Sequence, residues 1–276
     1  MPLAFGVVHG WSEEVVIGGA GAIVICFLLK LLLHPNQKPL WTWAYVPIGL
    51  FLLTAVFQLL PLPTWFVSII SPNTAALRTH LLGDLPDADV ELRSMTLIFY
   101  PNATMHDLRL ALAATGVFVV VFHVFRQPQQ IKRLLMVIAV TGGFVATVAL
   151  AQGLFGNGKI YWFIFSRYSR GYSGPFVNHS HYGQFMNLSI GAALGLLMVK
   201  LREVFTDRRV TLPDVFDYLI SRSARQIWLL VAVIGVGAAT VFISLSRGGM
   251  VSMLIAAGFT TVLVASKRST AHVMAG

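Results

Sequence analysis

The chain has 276 residues, of which 56% are apolar and 11% charged, and its mean hydropathy is +0.75. A soluble core of this size needs far less apolar material, so the ordinary soluble classes are excluded and an integral membrane protein is expected. The net charge of +9 would suit a polyanion. In so apolar a chain it acts through its distribution about a bilayer, and no nucleic-acid partner is expected.

The opening residues, MPLAFGVVHGWSEE, carry acid where a secretory leader carries base, and no A-x-A-like site follows the first apolar run, so no cleaved signal peptide is expected. Seven apolar segments then approach the roughly 20 residues that an α-helix needs to cross the hydrocarbon core. They run over 14–33, 41–60, 108–126, 134–155, 182–200, 227–244 and 250–266. The pattern predicts an all-α, polytopic transmembrane bundle of about seven helices, treated as one membrane domain over 1–276. The first segment holds the one cysteine, Cys26, which excludes an internal disulfide. Segments one and two, and three and four, are joined by the short polar turns 34–40 and 127–133. Longer connections occupy 61–107, 156–181 and 201–226.

Loop charge orients the bundle, because short cytoplasmic loops retain Lys and Arg. Alternate connections hold Lys30 and Lys38, then Arg126, Lys132 and Arg133, then the six basic residues of 200–225, then Lys267 and Arg268. That is 13 of the 20 basic residues. The N-terminus, the loops 61–107 and 156–181, and the turn at Arg247 are thus expected outside; the 201–226 loop and the C-terminus are expected in the cytoplasm. Within 61–107, LPTWFVSII (62–70) and LRSMTLIFY (92–100) are each too short to span and are expected at the interface. The run IYWFIF (160–165) reads as interfacial aromatic anchoring.

The most polar stretch, SRYSRGYSGPFVNHSHYGQFMN (166–187), runs into the fifth segment. Gly171, Gly174 and Pro175 give it turn character, and Gln184 and Asn187, three apart, share one helical face. Polar groups in a membrane helix must meet protein or water, so they either glue helices together or line a site. Asn178 and His181, close to Arg167 and Arg170, are candidate site residues. His179 and His181 stand two apart, which does not put both on one helical face, and no Cys or acid nearby completes a coordination shell; no metal is expected. No nucleophile elbow or Ser/His/acid arrangement is present.

The turn FISLSRGGMVSML (242–254) sets Arg247 between two apolar segments. Arginine cannot shed its proton, so it must reach the lipid interface or find an anion. Gly248 and Gly249 allow close backbone approach and offer amides at a helix start, a position that favours anions. Snorkelling and anion anchoring both remain open on these residues alone.

Three features together resemble the O-antigen ligase and polysaccharide polymerase superfamily. One is S-x-S-R-G-G at a helix junction, here Ser244, Ser246, Arg247, Gly248 and Gly249. Another is a G-x-F-x-N-x-x-x-x-[AG]-x-F-type stretch, here Gly174, Phe176, Asn178, Gly183 and Phe185. The third is the many-helix topology. The resemblance implies a GT-C-type glycosyltransferase of the bacterial inner membrane, working on its periplasmic face. Such an enzyme moves a glycan from undecaprenyl pyrophosphate to a hydroxyl on lipid A core, on another carrier-linked glycan or on a protein, with no metal or other cofactor.

Carried onto this chain, the resemblance makes Arg247 the pyrophosphate anchor, with Arg167 and Arg170 as helpers; Asn178 and Gln184, from the polar stretch itself, complete the candidate substrate-binding residues. Members of the superfamily usually continue into a large periplasmic loop that carries the general base, often a histidine. Against that pattern the chain is expected to be an N-terminal portion, with His181 as the candidate base within it. His272 falls on the opposite side. The alternative from another class is a non-catalytic lipid-binding scaffold or a polysaccharide or lipid transporter. The second form is disfavoured because every Asp and Glu lies in or beside a loop.

Overall fold

The computed structural model describes residues 10–34, 39–84, 86, 92–157, 159–162, 173–205 and 212–274, and the side chains of these except 212–215 and 261–274. Each of the seven apolar segments overlaps a helix, though 41–60, 108–126 and 227–244 run past the helix ends. Four helical stretches, Gly10–Leu33, Pro101–Val124, Pro128–Phe155 and Arg222–Ile243, are long and apolar enough to cross a membrane. Their surfaces agree with that reading. Leu32 and Phe155 are more than three-quarters exposed, as lipid-facing side chains of a membrane protein are and those of a soluble core are not.

The contacts divide the chain into two compact units, Glu14–Phe125 and a second made of Met1–Glu13 with Arg126–Gly276. The first contains most of α1 (Gly10–Leu33), α2 (Tyr45–Leu59), α3 (Thr64–Ile70), α4 (Pro72–Leu82) and α5 (Pro101–Val124). Here the 61–107 loop is more structured than its sequence suggests. LPTWFVSII supplies a two-residue strand β1 (Leu62–Pro63) and α3, and LRSMTLIFY supplies β2 (Ser94–Met95), paired antiparallel to β1. Val67, Ala75 and Met95 form a small core beneath them. Arg78 locks the arrangement by donating to Thr96 Oγ1 (2.9 Å) and the Ile98 carbonyl (2.7 Å). The buried His123 ties α5 to the segment that leads into α2: Nε2 accepts from the Leu40 amide at 2.9 Å, and Nδ1 lies 2.7 Å from the Val119 carbonyl. The geometry therefore assigns its proton to Nδ1.

The second unit contains α6 (Pro128–Phe155), α7 (His179–Phe205), the short α8 (Leu212–Ile220), α9 (Arg225–Ile243) and α10 (Arg247–Met274). The first of these starts earlier than hydropathy predicts. Gln127 and Gln130 form a reciprocal capping box with Pro128 in the first turn, so most of the polar 127–133 stretch is helix. α6, α7 and α9 pack pairwise and alternate in direction. Lys132, Lys200 and Gln226 therefore gather at one end, and the 156–181 connection and the Arg247 turn at the other.

α7 is the centre of this bundle. Tyr182, Met186, Ser189 and Ala193 are fully buried along it. Lipid tails are as apolar as leucine, so such helices gain little from burying apolar area and rely on close contact and interhelical hydrogen bonds. Glycine supplies the contact on three sides. A Cβ on Gly142 of α6 would lie 2.2 Å from Ser189 Cβ, and one on Gly237 of α9 would lie 3.0 Å from Met186 Cε. On α10, a Cβ on Gly249 would lie 3.2 Å from Gly183 Cα.

Candidate functional site

The Ser244–Gly249 turn is a helix-to-helix junction built for one shape. α9 ends at Ile243, Ser244 is buried, and Leu245 takes a left-handed backbone conformation (φ 55°) that a non-glycine residue adopts only at a cost of roughly 1–3 kcal/mol. Ser246, also buried, then caps α10, because its Oγ accepts the Gly249 amide at 3.2 Å. Arg247 is the first residue of α10, and its side chain is exposed. One expectation needs correcting here: the Gly249 amide is not free for an anion, because it is already bonded to Ser246.

The other polar stretch meets this junction directly. Gly183 of α7 packs on Ser246 and Gly249: a Cβ on Gly183 would lie 3.1 Å from Ser246 Oγ and 3.2 Å from Gly249 Cα. One turn on, Asn187 Nδ2 donates to the Gly249 carbonyl (3.0 Å) and to Ser252 Oγ (2.6 Å). Asn187 therefore crosses between the helices, while Gln184, three residues earlier, is exposed. The face they share splits into one residue that joins helices and one that does not.

Asn178 has a definite structural role. Its Oδ1 accepts the Ser180 amide at 2.8 Å, and its carbonyl accepts the Tyr182 amide at 3.1 Å, so it is the N-cap of α7. The side-chain NH2 stays on the exposed side. His181 is exposed in the first turn of α7, two residues before the glycine that touches Ser246. Arg167 and Arg170 lie outside the described residues. Asn178, His181 and Gln184 thus lie at the start of α7 and Arg247 at the start of α10, two helices that touch at Gly183. No acidic residue occurs at 153–202 or 218–276, so these two stretches carry only basic charge.

Sequence reasoning missed a residue beneath the site, Gln152 of α6. It is 3% exposed, and with its amide oriented to satisfy both neighbours it donates to the Gly174 carbonyl (3.1 Å) and accepts the Tyr161 amide. Gly174 itself requires glycine. Its φ is +56°, and a Cβ there would lie 3.0 Å from Ala149 Cβ. Phe176 then packs on Tyr182 and Phe185 with centroids 5.7 and 5.5 Å away. The G-x-F-x-N run is therefore a fixed lead-in: the glycine turns against α6, the phenylalanine enters the core and the asparagine caps α7. Replacing Gln152 with leucine is expected to strand the Gly174 carbonyl and the Tyr161 amide at about 1–3 kcal/mol each. Protease accessibility of the 156–178 segment should rise while α6 stays helical by circular dichroism.

An apolar groove of about 550 Å³ runs from Asn187 along α7, α9 and α10. Gly191, Gly195, Ala238, Ala256 and Ala257 keep it open on three sides. Asn187, which bonds Ser252 in the second turn of α10, lines one end of it, and Thr260 lines it further along α10.

No protein-family model matches the chain, and no curated protein or solved structure matches it either.

Proposed function

We propose that the chain is the donor-binding part of a multi-pass glycosyltransferase that faces the periplasm of the bacterial inner membrane. Its substrate is a glycan on undecaprenyl pyrophosphate, which it passes to an acceptor hydroxyl in the manner of an O-antigen ligase or polysaccharide polymerase. What chiefly supports the reading is the contact of Gly183 with Ser246 and Gly249, because it sets the two motif-bearing stretches against each other around Arg247. The apolar groove, whose first lining residue on α10 is Met253, six positions after Arg247, suits an isoprenoid tail, which would leave the pyrophosphate toward the guanidinium.

The chemistry follows from those groups. The acceptor oxygen forms a bond to the anomeric carbon with inversion as the bond from that carbon to the pyrophosphate oxygen breaks. The leaving pyrophosphate keeps the electron pair, and the acceptor proton passes to a base, for which His181 is the candidate in this chain. Negative charge grows on the leaving group, and a guanidinium held at a rigid helix start stabilises it through paired, charge-assisted hydrogen bonds without a metal. The loop charges support this reading, in which seven membrane spans with the N-terminus outside put this end in the periplasm.

Reconstitution separates this reading from a scaffold. Purified chain in liposomes, given an undecaprenyl-pyrophosphate-linked glycan and a hydroxyl acceptor, is expected to bind the donor and release undecaprenyl pyrophosphate as product appears. Binding without release would favour the non-catalytic lipid-binding alternative, and no binding would remove both.

A further inference from the structure

The opposite end of the same bundle carries a second site. Where α6 begins and α7 ends, beside the first turn of α9, lies a cavity of about 380 Å³. Lys132, Arg133 and Lys200 line it with one carboxylate, Glu203, while Met136, Leu196 and Leu230 make an apolar floor. Leu196 and Leu230 are fully buried members of the bundle core, so the floor is fixed. Glu203 is paired with Lys132 and lies 3.5 Å from Lys200. The hydrogen bond from Lys132 holds its carboxyl below the usual carboxylate range, so at neutral pH it remains negative, the one carboxylate among the described lining residues. Arg133 is exposed and has no ion pair among the described residues. Three cations thus face one carboxylate.

The height of this cavity matches a lipid headgroup region. α8 is short, and Phe216 and Ile220, one turn apart on it, are 65% and 82% exposed. The helix is tied to the bundle by Trp228, whose Nε1 donates to the Leu219 carbonyl at 2.9 Å. Trp228 is itself half exposed, as aromatic anchors at a membrane interface are. One helical turn along α6 and α9, an apolar groove of about 290 Å³ opens between Val140, Gly143 and Val233. A basic rim, an apolar floor and an adjoining apolar groove form an amphiphile-shaped surface.

We propose that this cavity binds the phosphate headgroup of an anionic diacyl phospholipid, with Lys132, Arg133 and Lys200 as its ligands and the adjoining apolar groove taking the upper acyl chain. Basic pockets between membrane helices recognise such headgroups through about one kcal/mol per cation, which is roughly fivefold in affinity. Glu203 competes with the lipid phosphate for the two lysines, and so sets the affinity below what three free cations would give.

The test is native mass spectrometry of the purified chain with equal doses of dioleoylphosphatidylglycerol and dioleoylphosphatidylcholine. Wild type is expected to retain phosphatidylglycerol preferentially. Arg133→Gln, which breaks no pair in the fold, should lower the preference about fivefold. Lys132→Gln/Arg133→Gln/Lys200→Gln should abolish it, and Glu203→Gln should raise it. Millimolar inorganic phosphate should leave the lipid bound. Equal retention of both lipids by wild type would overturn the proposal, as would an undiminished preference in Arg133→Gln or a lowered one in Glu203→Gln. Complete displacement by inorganic phosphate would also overturn it, in favour of a free-phosphate site.

Discussion

Replacing Gly142 with valine is expected to be among the most damaging single changes in the second unit, with a loss of about 1–3 kcal/mol or more. The added Cβ alone would sit 2.2 Å from Ser189 Cβ and 2.5 Å from Ser189 Oγ. Carbon atoms in contact rest about 3.5–4 Å apart, so α6 and α7 must separate. Neither partner can yield: Ser189 is fully buried, and its Oγ is bonded to the Phe185 carbonyl of its own helix at 3.0 Å. Ala146 and Val145 on one side and Met186 and Ile190 on the other would lose contact together, because they form one cluster. Size-exclusion chromatography after heating in detergent should show a lower midpoint for the variant. Gly235→Ala is the matched control, since a Cβ there meets nothing within 4 Å, and it should stay within about 0.5 kcal/mol of wild type.

Arg247→Ala is expected to abolish polymer or ligated glycan in cells that depend on this gene, and Arg247→Lys to reduce it by at least about tenfold. A hydrogen bond to a charged group contributes about 1.5–3 kcal/mol, so loss of a bidentate guanidinium–phosphate pair costs one to two orders of magnitude in donor binding. It costs more in the chemical step, where the charge grows. Lysine keeps the charge but not the planar fork. Arg247 is exposed and makes no ion pair among the described residues, so removing it leaves the Ser246 cap, the Gly183 contact and the Asn187 bridge in place. Expression and folding should therefore match wild type, with loss confined to glycan output. Unchanged glycan with either substitution would end the anchoring role.

Much of the fold is legible in the sequence, because hydropathy over 18 or more residues is a direct consequence of spanning an apolar slab. The four helical stretches long and apolar enough to cross a membrane stand out for that reason. The ends are less legible: α6 begins at Pro128 and α7 runs on to Phe205 because capping and helix propensity continue past the apolar stretch. The 61–107 connection hides α3, α4 and the β1–β2 pair, since seven- and eleven-residue helices with a small core leave too short a period to separate from loop.

At the site, local pattern singled out Asn178 and Arg247 but not their place in the structure. The capping bond of Asn178 and the exposure of Arg247 depend on where the helices start. The contact of Gly183 with Gly249 joins residues 66 positions apart, and no local periodicity reveals it. Gln152 escaped notice because a single glutamine near the end of an apolar helix reads as a surface residue; only its position under Gly174 makes it structural.

The most direct measurement is the affinity of purified chain for undecaprenyl pyrophosphate, compared between wild type and Arg247→Gln in the same detergent and salt. Arg247 at the α7–α10 contact predicts a dissociation constant ten- to a hundredfold weaker in the variant, with helicity and elution unchanged. Equal dissociation constants for the two proteins would contradict it, and would leave Arg247 as a side chain that reaches only for lipid headgroups.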